Sequence, residues 1–226
     1  MLAIAVFVCG YLIAKAARRI DTNPEEIYDL IFWVVIAGVI GCRIFFILLN
    51  FDFFWQNPLE TFMIQNGGLA WQGGLVFGLL TYLWYCRRKN WPALKLADLI
   101  APYLALGQAI GRWGCFLNGC CYGKEVGWGI WEAHRGIHAH PTQIYLSFAA
   151  FVSFLILKKA GRVQKFDGRI LILYFILEAV SRFTIEFYRA DHTEIVFGLS
   201  IFQIVCIAIF ITSVYAYAYL NRRRRV

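Results

Sequence analysis

Long apolar runs alternate with short polar connections along almost the whole chain of 226 residues. Each run approaches the roughly 20 apolar residues that a helix needs to cross the hydrocarbon core of a bilayer. The pattern therefore predicts about seven membrane-spanning helices joined by polar loops. The predicted spans are 1–17, 29–50, 68–86, 97–113, 142–158, 169–188 and 197–220.

Composition supports this interpretation. Hydrophobic residues make up 60% of the chain and charged residues only 16%, whereas a soluble domain carries about 25% charged residues. Such a chain cannot cover its surface with polar side chains, so a soluble enzyme and a disordered protein are both excluded. We expect an all-α integral membrane protein in which residues 1–226 form a single polytopic domain with a Gly- and aromatic-rich extracytoplasmic loop at 114–141.

The basic residues predict the orientation in the membrane. They are concentrated in every second connection, and cytoplasmic loops carry the excess of Lys and Arg. The amino terminus is therefore expected outside and the carboxyl terminus in the cytoplasm. Because the net charge of +8 is spread over these loops, no nucleic-acid partner is expected. The basic connections lie at 15–19, 87–95, 158–169 and 222–225, and the others at 51–67, 114–141 and 189–196.

Several ionisable residues lie within the predicted membrane spans, where exposure of a charge to lipid is unfavourable. Glu178, Arg182, Glu186 and Arg189 follow one another at about one helical turn in the sixth predicted span and its end, so they share one helix face and can pair along it. On the translocon scale each such charge costs about 2.5–3.5 kcal/mol at a helix centre. This face is therefore expected to point into the bundle or a cavity.

Two interpretations of the buried arginines stay open. In one, Arg43 or Arg112 pairs with Glu178 or Glu186 and locks the bundle together. In the other, Arg112 and Arg182 bind a ligand, which their position near the outer ends of their spans favours. Arginine suits phosphate because it combines a permanent charge with a bidentate fork of donors.

Two further polar segments reach the same predicted depth, at 71–74 and at 140–143. Together they predict a site for an anionic lipid headgroup or a phosphate ester in the outer leaflet. The paired glycines Gly73 and Gly74 would let a headgroup or a neighbouring helix approach closely. His140 is a candidate general base or headgroup donor, and a hydrogen-bonded helix cap is the alternative.

Three of the seven cysteines, Cys115, Cys120 and Cys121, cluster in the predicted outer loop. Local packing or a loop disulfide is the default interpretation. A zinc site with a nearby histidine and a catalytic thiol are alternatives, but no Cys-x-x-Cys pair supports a metal. We therefore expect neither a metal nor another cofactor.

Four segments resemble the signatures of one known family in order and in separation. The family is that of the bacterial prolipoprotein diacylglyceryl transferases, which have seven helices and an external amino terminus. The segments are GGLAWQGG at 67–74, GRWGCFLNG at 111–119, HPTQIY at 140–145 and RFTIEFYR at 182–189.

This resemblance implies a reaction at the bacterial cytoplasmic (inner) membrane. A diacylglyceryl group would pass from phosphatidylglycerol, a membrane lipid, to the lipobox cysteine thiol in a preprolipoprotein signal peptide, with release of glycerol phosphate. The essential arginines of the family fall on Arg112 and Arg182, and Glu186 would orient Arg182. The implied substrate-binding residues are Gln72, Gly73, Gly74, Asn118, Gly123, His140, Gln143, Tyr145 and Arg189.

The chain also departs from the family pattern. Gln72 stands where well-described members have His, and Cys115 and Cys120 stand where others carry Asn and Glu. The tyrosine expected near the start of the first span is missing, so the chain either begins late or belongs to a divergent paralogue. The general base is consequently unassigned among His140, Glu125 and hydroxide, and a non-catalytic phosphatidylglycerol-binding scaffold is the alternative function.

Overall fold

The computed structural model describes residues 1–18, 22–63, 67–132, 136–163, 166–190 and 198–223. Within these ranges the chain is mostly helical, as the sequence predicts, with one short antiparallel hairpin. The helices are α1 (Leu2–Ala17), α2 (Pro24–Leu49), α3 (Phe51–Gln56), a 3₁₀ helix (Pro58–Phe62), α4 (Trp71–Arg88), α5 (Ala93–Leu117), α6 (Thr142–Ala160), α7 (Arg169–Glu186) and α8 (Ile201–Arg223). The strands are β1 (Glu125–Glu132) and β2 (Ile137–Ala139).

Among the described helices, α2, α5, α6 and α8 are long and apolar enough to cross a bilayer. Helix α1 is apolar but has only 16 residues. Helix α7 contains Arg169, Glu178, Arg182 and Glu186, and that many charges are costly where lipid surrounds a helix. The apolar helices fit a membrane protein, while the total of about seven spans stays a prediction.

Two helix ends differ from the sequence prediction. Helix α2 begins at Pro24, earlier than expected, because the Asn23 side chain accepts a hydrogen bond from the Glu25 backbone N–H at 3.1 Å and proline suits the first helical position. Helix α5 continues to Leu117, so the predicted outer loop begins inside a helix. The hairpin of β1 and β2 occupies much of what remains.

The chain divides into two compact units, one of residues 1–13 and 94–226 and one of residues 14–93. Close approach of α2 and α4 organises the 14–93 unit. A Cβ atom added to Gly41 would lie 2.6 Å from the carbonyl oxygen of Gly73, closer than real Cβ contacts come. Gly73 is buried. Its absent side chain therefore serves helix packing in this unit.

Arg43 on α2 is the main polar anchor of the 14–93 unit. It is only 7% exposed, and its five N–H donors all point to main-chain carbonyls. The acceptors are Thr61 O (3.1 Å), Gly67 O (2.7 Å), Gly68 O (3.1 Å), Met63 O (3.3 Å) and Glu60 O. The guanidinium also lies 5.2 Å from the ring centroid of Phe54. These contacts give Arg43 a structural role in which carbonyls, not carboxylates, are its partners.

Replacement of Arg43 by Ala should destabilise the protein strongly. It would leave several half-buried carbonyls without donors, and we expect the free energy of unfolding to fall by at least about 3 kcal/mol. Thermal unfolding of the purified protein in detergent measures this change. Arg87→Ala, at an exposed arginine of α4, is the control and should stay within about 0.5 kcal/mol of the parent. Equal unfolding temperatures for the two variants would contradict the anchoring role.

In the other unit, Asp98 on α5 fixes the start of α7. Its carboxylate accepts the backbone N–H groups of Gly168 at 2.8 Å and Leu171 at 2.9 Å. A helix rises 1.5 Å per residue, so Arg112 lies about 21 Å further along α5 and Arg182 about 17 Å beyond Leu171 on α7. Measured along their own helices from this contact, the two arginines therefore lie at similar distances.

Candidate functional site

The ion pairs predicted along α7 are present. The guanidinium of Arg182 lies 3.2 Å from the Oε2 atom of Glu186, and Nε of Arg189 lies 3.6 Å from the same oxygen. Glu186 is 1% exposed, and its partners are largely covered as well. One buried carboxylate thus holds two arginines, because the three residues stand one turn apart on a single face.

Helix α8 supports Glu186 from the other side. The hydroxyl of Ser200 donates to Oε1 of Glu186 at 3.4 Å. Ser200 and Gln203 also bond each other reciprocally, since Gln203 N–H donates to the Ser200 hydroxyl at 3.3 Å and Ser200 N–H donates to the Gln203 side chain at 3.0 Å. This is a capping box at the start of α8. Sequence reasoning missed both residues, although the Ser-x-x-Gln spacing before an apolar run is a readable signal.

A second carboxylate links α5 to α7. The Glu178 side chain hydrogen-bonds Gln108 and lies within Coulombic range of both Arg112 and Arg182. Gln108 also bonds the side chain of Tyr174. The two arginines that the sequence singled out therefore lie within electrostatic range of the same carboxylate.

Among the residues that the structure describes, positive charge is in excess in this cluster. Arg182 is close enough to Arg112 and Arg189 to be repelled by both, while Glu178 and Glu186 supply the compensating negative charge. Three guanidinium groups therefore face two carboxylates. Such an arrangement can accept one more anion, because binding it would balance the remaining charge.

His140 belongs to an aromatic group beside this cluster. Its Nδ1 atom lies 3.2 Å from the Tyr145 hydroxyl. The imidazole ring lies 4.8 Å from the ring of Trp128 and 5.3 Å from that of Tyr188, both edge to face. His140 is thus hydrogen-bonded and half-buried, and its ring lies against Tyr188, which follows the end of α7.

Gly123 joins His140 to the end of α7 through the main chain. Its N–H donates to the His140 carbonyl at 2.8 Å, and Lys124 N–H donates to the Tyr188 carbonyl at 2.8 Å. Gly123 also forms an isolated antiparallel bridge with Arg189. A Cβ on Gly123 would lie 2.5 Å from both the His140 Cβ and the Tyr188 carbonyl oxygen. Only glycine fits this crossing point.

The buried Gln143 and Thr142 hold the segment before Gly123. Gln143 Nε2 donates to the Cys120 carbonyl and the Thr142 hydroxyl donates to the Cys121 carbonyl, each at 2.7 Å. Gln143 therefore positions this loop through the main chain. Asn118, in contrast, is exposed at the end of α5.

The cysteines of this loop are thiols. All seven cysteines of the chain are free, so the expected loop disulfide is not formed. Burial, followed by the neighbouring Cys121 and Cys115 thiols, raises the pKa of Cys120 to about 11. Near neutral pH the Cys120 thiol is consequently protonated, which argues against a nucleophilic role.

The predicted residues of the third span lie in the 14–93 unit. Gln72 is exposed and Gly74 is half-buried near the Cys42 sulfur. The other predicted site residues lie in the unit of residues 1–13 and 94–226. Participation of Gln72, Gly73 and Gly74 in a shared site stays a prediction.

The fold and the site define a helical membrane protein with a buried cluster of arginines and carboxylates. The family model for prolipoprotein diacylglyceryl transferase matches residues 1–219. The chain therefore belongs to the prolipoprotein diacylglyceryl transferase family, and it is an enzyme of the transferase class.

Curated relatives with the name phosphatidylglycerol–prolipoprotein diacylglyceryl transferase cover most of the chain. The protein of Finegoldia magna is 36% identical over 211 residues, which span 92% of this chain and 84% of the relative. The protein of Clostridium tetani is 32% identical over 225 residues, with coverage of 96% and 90%. That of Clostridioides difficile is 32% identical over 222 residues, with coverage of 96% and 88%.

Replacement of Gly123 by Ala tests the crossing point at the site. The added methyl group would overlap the backbones on both sides, and we expect a loss of about 1–3 kcal/mol in the free energy of unfolding. Thermal unfolding in detergent measures it. Gly127→Ala is the matched control, because a Cβ there meets no atom within 4 Å. If both variants unfolded at the parent temperature, the packing argument would be wrong.

Proposed function

We propose that the protein transfers the diacylglyceryl group of phosphatidylglycerol to the lipobox cysteine thiol of a preprolipoprotein, with release of glycerol phosphate. The observation that carries the proposal is the buried group of Arg182, Glu186 and Arg189, with Glu178 in electrostatic range of both Arg112 and Arg182. Family membership and the names of the relatives agree with this substrate class.

The charge of the cluster suits the phosphate of the donor lipid. Phosphatidylglycerol carries one negative charge on a phosphodiester, and the cluster has one guanidinium more than it has carboxylates. Guanidinium groups can each give two parallel N–H bonds to phosphate oxygens. Arg112 and Arg182 are therefore the proposed phosphate ligands, and Glu186 keeps Arg182 in place.

The proposed chemistry is a substitution at carbon. The sulfur of the substrate cysteine forms a bond to the glycerol carbon of the diacylglyceryl group, and the bond between that carbon and the phosphate oxygen breaks with its electron pair. Negative charge grows on the departing glycerol phosphate. Arginines already aimed at the phosphate stabilise this charge without reorganisation at the moment of reaction.

The thiol proton needs an acceptor, and His140 is the candidate with the strongest support. In the tautomer whose Nδ1–H donates to the Tyr145 hydroxyl oxygen, 3.2 Å away, the second ring nitrogen carries the lone pair that would take the proton. Histidine is the side chain that most often serves as a general base. Glu125 is exposed at the start of β1, which makes its carboxylate the weaker candidate.

The remaining predicted residues have supporting roles in this proposal. Gly123 and Gln143 position the loop that passes beside His140, and Asn118 is a candidate contact for the lipid headgroup or the peptide. Gln72, Gly73 and Gly74 are candidate substrate contacts because they belong to the signature segment at 67–74.

We also propose that the protein is a single polytopic domain of the bacterial inner membrane with its amino terminus outside. The alternation of basic and non-basic connections supports this orientation. It would place Arg112 and Arg182 in the outer leaflet, on the side from which secreted lipoprotein precursors emerge.

Activity of purified protein tests the function directly. With phosphatidylglycerol vesicles and a lipobox peptide, we expect thioether-linked lipopeptide and free glycerol phosphate, both measured by mass spectrometry. Arg112→Ala and Arg182→Ala should each lower kcat/KM by about 100-fold or more, because each removes a preorganised donor to the leaving group. Arg162→Ala, at an exposed arginine, should leave the rate unchanged.

Other outcomes separate the alternatives. Full activity in both arginine variants, with Arg162→Ala also active, would refute the assigned roles. Binding of phosphatidylglycerol without any glycerol phosphate, in protein whose thermal unfolding is normal, would favour the non-catalytic scaffold. That alternative is motivated by Gln72, which stands where well-described members of the family have His.

A further inference from the structure

Three cysteine sulfurs converge where α5 passes into the loop that leads to Gly123. The Sγ atoms of Cys115, Cys120 and Cys121 all lie within 4.8 Å of one another, and those of Cys120 and Cys121 are 3.8 Å apart. Thiolates bound to one zinc ion at about 2.3 Å are separated by about 3.8 Å in a tetrahedral arrangement. The spacing is much longer than the roughly 2.05 Å of a disulfide.

Hydrogen bonds of the main chain hold these sulfurs in place, and the Cys120 thiol itself donates to the Cys115 carbonyl at 3.6 Å. Cys120 N–H donates to the Cys115 carbonyl at 3.1 Å and closes the turn at the end of α5. Two side chains of α6, Thr142 and Gln143, are 0% and 1% exposed and bind the carbonyls of Cys121 and Cys120. Cys121 is kept at a φ of +63°, a conformation that a non-glycine residue adopts only when its surroundings impose it. The thiols therefore converge before any ligand arrives.

We propose that Cys115, Cys120 and Cys121 bind one thiophilic divalent cation of the zinc type, with a fourth coordination position left to water. Binding replaces three thiol protons, which pass to solvent, and forms three metal–sulfur bonds with no change of oxidation state. Soft thiolate ligands select such cations over magnesium or calcium. This site lies outside the proposed transfer reaction.

A divalent cation leaves less residual charge at this position than a monovalent one. Three thiolates and one divalent cation leave one negative charge, whereas a monovalent cation such as Cu⁺ would leave two. Arg112 stands one helical turn before Cys115 on α5. The ion would tie the end of α5 to the loop that α6 already holds through Thr142 and Gln143.

The test is a metal titration of the full chain in detergent, after treatment with a reductant and a chelator and removal of both. Cd²⁺ is the probe, because its thiolate complexes absorb in the ultraviolet. We expect one equivalent to bind, with release of three protons, and a large excess of Zn²⁺ to compete for the same site. Cys115→Ser, Cys120→Ser and Cys121→Ser should each weaken binding by about 10-fold or more. Cys42→Ser, at a thiol of the 14–93 unit, should bind as the parent does.

Several results would overturn the proposal. Parent-like binding in all three cluster variants would do so, as would loss of binding in Cys42→Ser. A bridged peptide joining two of the three cysteines in freshly purified protein, found by mass spectrometry together with absence of Cd²⁺ binding after reduction, would show a redox pair instead. Should the variants fail to fold, X-ray absorption of the Cd²⁺-loaded parent counts the ligands directly. Three sulfurs support the site, and fewer than three refute it.

Discussion

The ion pairs of the buried Glu186 carboxylate with Arg182 and Arg189 organise the other contacts of the site. An ionised group without solvent is stable only when opposite charges and hydrogen bonds surround it, and Glu186 has Arg182 and Arg189 on its own face and the Ser200 hydroxyl from α8. This requirement ties α7 to α8 and sets the positions of both guanidinium groups. The same carboxylate that stabilises the fold therefore also positions Arg182, one of the two proposed phosphate ligands.

Charged residues in the apolar helices fall into two kinds, and their partners distinguish them. In the hydrogen bonds described, Arg43 and Asp98 bind only main-chain groups. Arg43 donates to five carbonyls, and Asp98 accepts from N–H groups at the start of α7. All five donors of Arg43 are used in these bonds. Arg182 instead pairs with Glu186, and both Arg112 and Arg182 lie within electrostatic range of Glu178. A cluster of mutually neutralising charges can exchange a partner for a ligand, whereas an anchor with all donors used cannot.

Much of this could be predicted from the sequence. The spacing of the residues from Glu178 to Arg189 predicts one polar helix face, and the structure confirms the pairing along it. The Ser-x-x-Gln spacing of Ser200 and Gln203 indicates a capping box in the sequence. Its link to Glu186 is not visible there, because that link depends on how α8 packs against α7. The structural partners of Arg43 were not predictable, since they are carbonyls of a segment whose path is set by packing.

The sequence alone identifies the class of protein. Its apolar runs are too extensive for a soluble fold, its basic residues are concentrated in alternate connections, and four signature segments follow in family order. Helix packing determines which charges share a partner, why Gly123 must lack a side chain, and that three thiols converge at the end of α5. The difference lies in the distance along the chain over which each kind of information acts. Periodicity and composition act over one or two helical turns, whereas these contacts join residues from different helices and become definite only when the helices are packed.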